Sequence, residues 1–95
     1  MYIRVTPVAY DPGQEEALRR MIDEQLVPAF KRLPGFVSYA GGLDRNAQRG
    51  ISITMWDNMD HAAGLRTALG GLIQQLESVG VRFEPAQVYE LTAQA

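Results

Sequence analysis

The chain has 95 residues, of which 46% are hydrophobic, with a formal net charge of −2 and no cysteine. A single domain over residues 1–95 is expected from this length, with a modest core that association with a second copy would strengthen. The charge gives no electrostatic reason to bind nucleic acid or an anionic membrane. The lack of cysteine excludes disulfides, thiol catalysis and cysteine zinc sites. Neither a signal-peptide pattern nor a membrane-length apolar run is present, so a cytoplasmic location is expected.

The first half of the chain predicts a strand, a turn and a helix. Residues 2–8 alternate and are rich in β-branched side chains, which indicates a strand. Asp11-Pro12-Gly13 is typical of a turn. Apolar residues recur at steps of three and four over residues 14–33, which predicts an amphipathic helix. Pro28 lacks a backbone donor, so we expect a kink there, and Pro34-Gly35 ends the helix.

The second half predicts two strands, a helix and a final strand. Residues 36–43 and 50–56 form a predicted hairpin, and the second of these strands alternates most cleanly. Asn58 is a candidate N-cap for a helix that Gly80 ends, within which three other glycines favour a break or a close backbone approach. Residues 87–91 are typical of a last strand.

This βαββαβ order predicts a ferredoxin-like α+β fold, a four-stranded antiparallel sheet with two helices on one face. Large apolar side chains occur on both faces of such a sheet, so the face without helices should bury itself against a partner. A symmetric homodimer with the sheets packed face to face provides that partner.

Three local motifs carry a resemblance to a known family. They are Asp11-Pro12-Gly13 after the first strand, Leu33-Pro34-Gly35-Phe36 after the first helix and Trp56-Asp57-Asn58 before the second. With these motifs the chain resembles, over nearly its whole length, the antibiotic biosynthesis monooxygenase-like group of the dimeric α/β-barrel superfamily. The resemblance implies two ferredoxin-like protomers whose sheets pack into a barrel, with substrate cavities between sheet and helices. Members of the group include cofactor-independent oxygenases of aromatic polyketides and quinols, and haem-degrading enzymes.

The resemblance to the haem-degrading branch is only partial. Trp56 matches that branch's tryptophan, but Thr6 stands near the position of its asparagine and Arg66 near that of its iron-ligating histidine. We therefore expect no bound cofactor and no metal site. The lone His61 is predicted to be a solvent-exposed residue of a first helical turn.

The predicted substrate-binding residues are Arg4, Thr6, Thr54 and Trp56. Trp56 shares a strand face with Ser52 and Thr54, and small neighbours beside a large ring favour a pocket with an aromatic wall. The alternative is a core tryptophan whose indole N–H has found an acceptor nearby. Packing alone would turn Ile51, Ile53 and Met55 toward the helices, whereas the resemblance turns the Trp56 face toward them. We expect the second arrangement.

Two functions follow from this sequence as hypotheses. One is a cofactor-independent monooxygenase acting on a small aromatic or quinol-like substrate, with a homodimeric assembly. The alternative is a non-catalytic ligand-binding or stress-related dimer of the same fold, since fold does not determine function. No residue stands out as the catalytic base. Tyrosines such as Tyr39 can donate to a phenolate oxygen, although strand tyrosines more commonly serve in packing.

Overall fold

The structure, a computed structural model describing residues 1–95, is an antiparallel sheet with the helices on one of its faces. The strands are β1 Tyr2–Tyr10, β2 Phe36–Asp44, β3 Arg49–Trp56, β4 Val81–Phe83 and β5 Gln87–Glu90. The helices are α1 Glu15–Met21, α2 Val27–Lys31, α3 Met59–Ala63, α4 Leu65–Leu69 and α5 Gly71–Ser78, with a π-helical segment, Ile22–Leu26, between α1 and α2. The predicted α+β, ferredoxin-like class is confirmed.

The sheet has five strands instead of the predicted four. Its order is β2-β3-β1-β4, and β5 also pairs with β1. Both β4 and β5 lie beside β1, at its two ends, so they act as one strand interrupted at Pro85. Proline has no N–H for the ladder, which explains the interruption. The sequence does not predict β4, because a strand of three residues, Val81–Phe83, is too short to show a periodicity.

The first helical region widens over one turn before Pro28. The Val27 N–H bonds to the Ile22 carbonyl, five residues back, at the end of the π-helical segment. The proline ring would otherwise clash with a carbonyl one turn earlier, and a wider turn removes that clash. Where a kink or break was predicted, the structure has a π-helical segment that ends just before Pro28.

The second helical region starts and breaks where the sequence indicated. The Asn58 side chain accepts a hydrogen bond from the His61 N–H at 2.9 Å, so the predicted N-cap is confirmed. Breaks follow at Gly64, which separates α3 from α4, and at Gly70, which separates α4 from α5. Gly70 has φ +48°, ψ −114°, a conformation that only glycine adopts readily.

Alternation along the strands gives the sheet two different faces. Thr54 and Trp56 are buried toward the helices, in a core with Phe30, Leu76 and Val81. The expectation taken from the resemblance, that the Trp56 face meets the helices, is confirmed. The opposite side, hereafter the outer face, carries Ile3, Val5, Ile51, Ile53, Met55 and Tyr89, which are neighbours across β3, β1 and β5.

The segments around Gly35 and Asp57 are hydrogen-bonded and packed against each other at one corner of the fold. The Asp57 N–H donates to the Gly35 carbonyl at 2.9 Å, and the Asp57 carboxylate lies 2.7 Å from His61 Nδ1. The hydrogen bond with His61 lowers the pKa of Asp57. Gly35 has φ +80°, and a β-carbon there would overlap both the Asp57 and the His61 side chains. His61 thus lies in the first turn of α3, as predicted, with its side chain 35% exposed and paired with Asp57.

Gly35→Ala is expected to lower the free energy of unfolding by about 2 kcal/mol or more, because it adds left-handed strain and a steric clash. Urea unfolding followed by circular dichroism measures this effect. The same substitution in an Asp57→Ala background should cost less, since one clashing group is gone. Gly71→Ala is the control, because a β-carbon there meets nothing within 4 Å. Equal costs for Gly35→Ala and Gly71→Ala would contradict the packing described at this corner.

Candidate functional site

A cavity of about 370 Å³ lies between the sheet and the helices. Its floor is a row of small residues on three neighbouring strands, in which Gly41 pairs with Ser52 and Ser52 pairs with Thr6. Its walls include apolar side chains of the two helical regions, Leu18, Ile22, Leu26, Phe30, Leu65, Leu69, Ile73 and Leu76. This volume falls within the range of about 300–1,000 Å³ typical of small-molecule sites.

A β-bulge in β2 brings Tyr39 into this cavity. The register of β2 against β3 shifts between Phe36 and Ser38, so Val37 is an extra residue. Phe36 and Tyr39, three positions apart, therefore both face the helices, which a regular strand does not allow. The Phe30 ring lies 6.2 Å from the Phe36 ring and 5.4 Å from the Tyr39 ring.

The Tyr39 hydroxyl lies over Gly41, where a β-carbon would overlap it. A glycine inside a strand commonly marks such a close approach. Burial raises the pKa of Tyr39, an effect that the neighbouring Ser52 hydroxyl opposes and the Asp23 charge reinforces. The Tyr39 hydroxyl therefore stays protonated at neutral pH, and it is available as a hydrogen-bond donor inside the cavity.

Arg4 contributes a partly buried positive charge from the central strand. Its Nη1 donates to the carbonyl oxygens of Ala62 and Ala63, at 3.1 and 3.2 Å, where α3 ends. No carboxylate forms an ion pair with it. Burial first, and then the neighbouring charge of Arg66, lower the pKa of Arg4. Both arginines line the cavity.

The predicted site residues divide into two pairs. Arg4 and Thr6 line the cavity, whereas Thr54 and Trp56 do not. Trp56 Nε1 donates to Thr54 Oγ1 at 2.8 Å, and both residues are only 1% exposed. The Phe36 ring packs edge-on against Trp56 at 5.6 Å. Trp56 is thus a packed core residue with a satisfied indole, and the open space lies one row further along the sheet, above Ser52.

The sequence does not predict Arg66 and Gly41 as parts of the cavity, and it favours a packing role for Tyr39. A signal for Gly41 was present, because a glycine inside a strand indicates that something approaches the backbone closely. The position of Arg66 depends on the helix breaks at Gly64 and Gly70, and helical periodicity alone does not give it.

The arrangement can bind an aromatic molecule and polarise its oxygen atoms. Apolar walls exclude water, and the hydroxyls of Tyr39, Ser52 and Thr6 together with the Arg4 guanidinium are its polar groups.

His61 is not among the lining residues, and Asp23 is the one carboxylate among them. No group of three or more His, Cys, Asp or Glu side chains is placed to hold a metal ion. None of the helices is long and apolar enough to cross a membrane.

Solved structures of antibiotic biosynthesis monooxygenase-like proteins have this fold. HapK from Hahella chejuensis superposes with a TM-score of 0.82 at 11% identity, over 100% of this chain and 96% of HapK. A Deinococcus radiodurans protein described as a candidate antibiotic biosynthesis monooxygenase gives 0.76 at 18% identity, over 100% of this chain and 96% of that chain. SnoaB from Streptomyces nogalater, described as a cofactor-independent oxygenase, gives 0.70 at 17% identity, over 98% and 94%.

At sequence identities of 11%, 17% and 18%, the comparison establishes the fold of this chain alone. No protein-family model and no curated protein matches the sequence. The resemblance predicted from the three motifs is therefore confirmed at the level of fold, and the chain has the ferredoxin-like architecture of this group.

Proposed function

We propose that this protein is a cofactor-independent monooxygenase of a small aromatic, quinol-like substrate. The observation that carries the proposal is a cavity with aromatic and aliphatic walls into which the protonated Tyr39 hydroxyl projects. Further support comes from the fold, which SnoaB, described as a cofactor-independent oxygenase, shares.

The chemistry balances without an external reductant. An electron-rich ring whose hydroxyl has lost its proton passes an electron to O₂, and the resulting radicals recombine at a ring carbon. Where that carbon is a methylene, it loses two hydrogens and gains one oxygen atom as a carbonyl, and the other oxygen atom leaves as water. The protein's part is to bind and orient the ring, to exclude water and to stabilise the developing negative oxygen.

Different residues of the cavity bind the ring, stabilise the negative oxygen and accept the substrate proton. Phe30 and the aliphatic walls hold the ring in a dry environment. Tyr39, with Ser52 beside it, donates a hydrogen bond to the substrate oxygen that becomes negative. Asp23, whose charge acts on Tyr39, is the carboxylate nearest to this role and is our candidate to accept the substrate proton.

The second candidate function is ligand binding without turnover. The observation that favours it is the set of lining residues, which contains no histidine and whose one carboxylate, Asp23, is exposed. The cavity therefore has no histidine and no buried carboxylate beside it to accept the proton of a phenol.

Oxygen consumption with a panel of quinols and anthrones tests the proposed function. We expect uptake that depends on the protein without added flavin, haem or metal. Tyr39→Phe should lower kcat by about tenfold or more, because it removes one donor to a developing oxyanion. Thr67→Val is the control, since it removes an exposed hydroxyl of α4 that lies outside the cavity. Saturable binding of these compounds with no oxygen uptake would establish the ligand-binding alternative instead.

A further inference from the structure

We infer that the substrate of this cavity is an aromatic acid, whose carboxylate binds to Arg4 and Arg66 while its hydroxyl binds at Tyr39. The inference rests on the proposed function, because it assigns the acid group to the molecule that is oxygenated. It adds a second polar subsite, and therefore a class of substrate, to a cavity so far described by its aromatic walls and its tyrosine.

Positive charge is concentrated at this cavity. Four arginines and one carboxylate line it, a formal balance of +3 in a chain whose net charge is −2. The arginines are Arg4, Arg19, Arg45 and Arg66, and the carboxylate is Asp23. A concave site with apolar walls strengthens the field of such charges and attracts ligands of the opposite sign.

Ion pairs account for only part of this charge. Arg45 pairs with Glu15 at 3.2 Å, and Arg66 lies 3.7 Å from Glu77. Arg4 has no carboxylate partner and bonds through Nη1 alone, to two backbone carbonyls. Its Nε and Nη2 make no hydrogen bond within the protein, and neither atom is fully buried. A guanidinium with two free donor atoms is suited to bidentate binding of a carboxylate.

The role of Arg4 as a cap for α3 does not by itself explain this arrangement. The two carbonyl contacts use one nitrogen, whereas the charge lies half-buried and close enough to Arg66 for the two cations to repel. Bound anionic oxygen relieves that repulsion and replaces the hydration that Arg4 loses through burial.

Two polar subsites lie on different parts of the cavity. Arg4 on β1 and Arg66 on α4 form one of them. Tyr39 on β2 and Ser52 on β3 form the other. Apolar side chains line the rest of the cavity, so a flat ring with an acid at one end and a hydroxyl at the other fits this distribution.

The test is a pair of ligands that match in shape and differ in charge, 6-hydroxy-2-naphthoate and 6-hydroxy-2-naphthamide, measured by isothermal titration calorimetry. We expect the wild-type protein to bind the acid about tenfold or more tightly than the amide, because a charge-assisted hydrogen bond adds to affinity. Salt should reduce the preference. Arg4→Gln should abolish it, and Arg66→Gln should reduce it.

Two further variants separate charge recognition from other effects. Arg20→Gln removes the same charge from an exposed helix position whose partner is Glu16, and it should leave the preference unchanged. Tyr39→Phe should weaken the acid and the amide equally, because it acts at the other subsite. Should Arg4→Gln fail to fold by circular dichroism, Arg66→Gln and the salt dependence of the wild type decide the question.

Equal affinities for the two ligands, a preference that survives Arg4→Gln, or no binding of either ligand would each overturn the inference. A parallel measurement of oxygen uptake distinguishes a failure of this inference from a failure of the proposed function. Oxygenation of quinols without acid preference would leave the function standing and refute the acid subsite. Preference for the acid without any oxygen uptake would support the subsite in a binding protein and refute the oxygenase.

Discussion

Trp56→Ala is expected to lower the free energy of unfolding by about 3–5 kcal/mol, the usual cost of deleting a large buried aromatic side chain. The residue is 1% exposed, and the indole packs against the Phe36 ring, so its removal leaves a cavity that the surrounding strands cannot close. Urea unfolding monitored by circular dichroism measures this cost without relying on the lost fluorophore. A cost below about 1 kcal/mol would contradict the close packing described here.

Trp56→Phe separates packing from ligand binding. This variant keeps an aromatic ring beside Phe36 and loses the hydrogen bond to Thr54, so we expect a smaller loss, about 1–2 kcal/mol. Affinity for an aromatic ligand should stay near that of the wild type, because Trp56 does not line the cavity. A large drop in affinity in a folded Trp56→Phe protein would favour the sequence-based hypothesis that the indole forms a pocket wall.

Much of the fold is encoded in local patterns that can be read without a structure. Strict alternation in β3 predicted its two faces, and the Asn58 cap, a helical irregularity before Pro28 and the helix-breaking glycines are all present. Each of these features depends on a residue's own backbone chemistry, namely a missing N–H, a missing β-carbon or a side chain that mimics a backbone acceptor. Such effects act within a few residues and therefore leave a local signature.

The position of the cavity depends on contacts between distant residues. The bulge at Val37 turns both Phe36 and Tyr39 toward the helices, so Phe36 fills the space beside Trp56 and Tyr39 leans over Gly41. Regular alternation from Phe36 would instead turn Tyr39 to the outer face. The small residues on the Trp56 side of β3 correctly indicated open space, but packing by Phe36 and the Thr54 hydrogen bond places that space at Ser52.

The second prediction with a large expected effect concerns the outer face of the sheet and the assembly of the protein. Ile51 is 42% exposed and Tyr89 50% exposed, and they adjoin Ile3, Val5, Ile53 and Met55. We propose that two copies of the chain pack these faces together, which removes a continuous apolar patch from water at about 25 cal/mol per Å². Light scattering at micromolar concentration should then give about twice the single-chain mass of 10.5 kDa.

Ile53→Asp should convert this dimer to a monomer, because it places an unpaired carboxylate against the apolar face of a second copy. Ile53 pairs with Val5 across the centre of the sheet, so no rotation of the partner avoids the charge. Gln74→Asp makes the same change of charge on an exposed residue of α5, on the opposite side of the molecule, and should leave the mass unchanged. A dimer needs roughly 1,000 Å² of buried surface to be specific. A monomeric wild type, or an Ile53→Asp variant that stays dimeric, would show that the outer face is not where two copies meet.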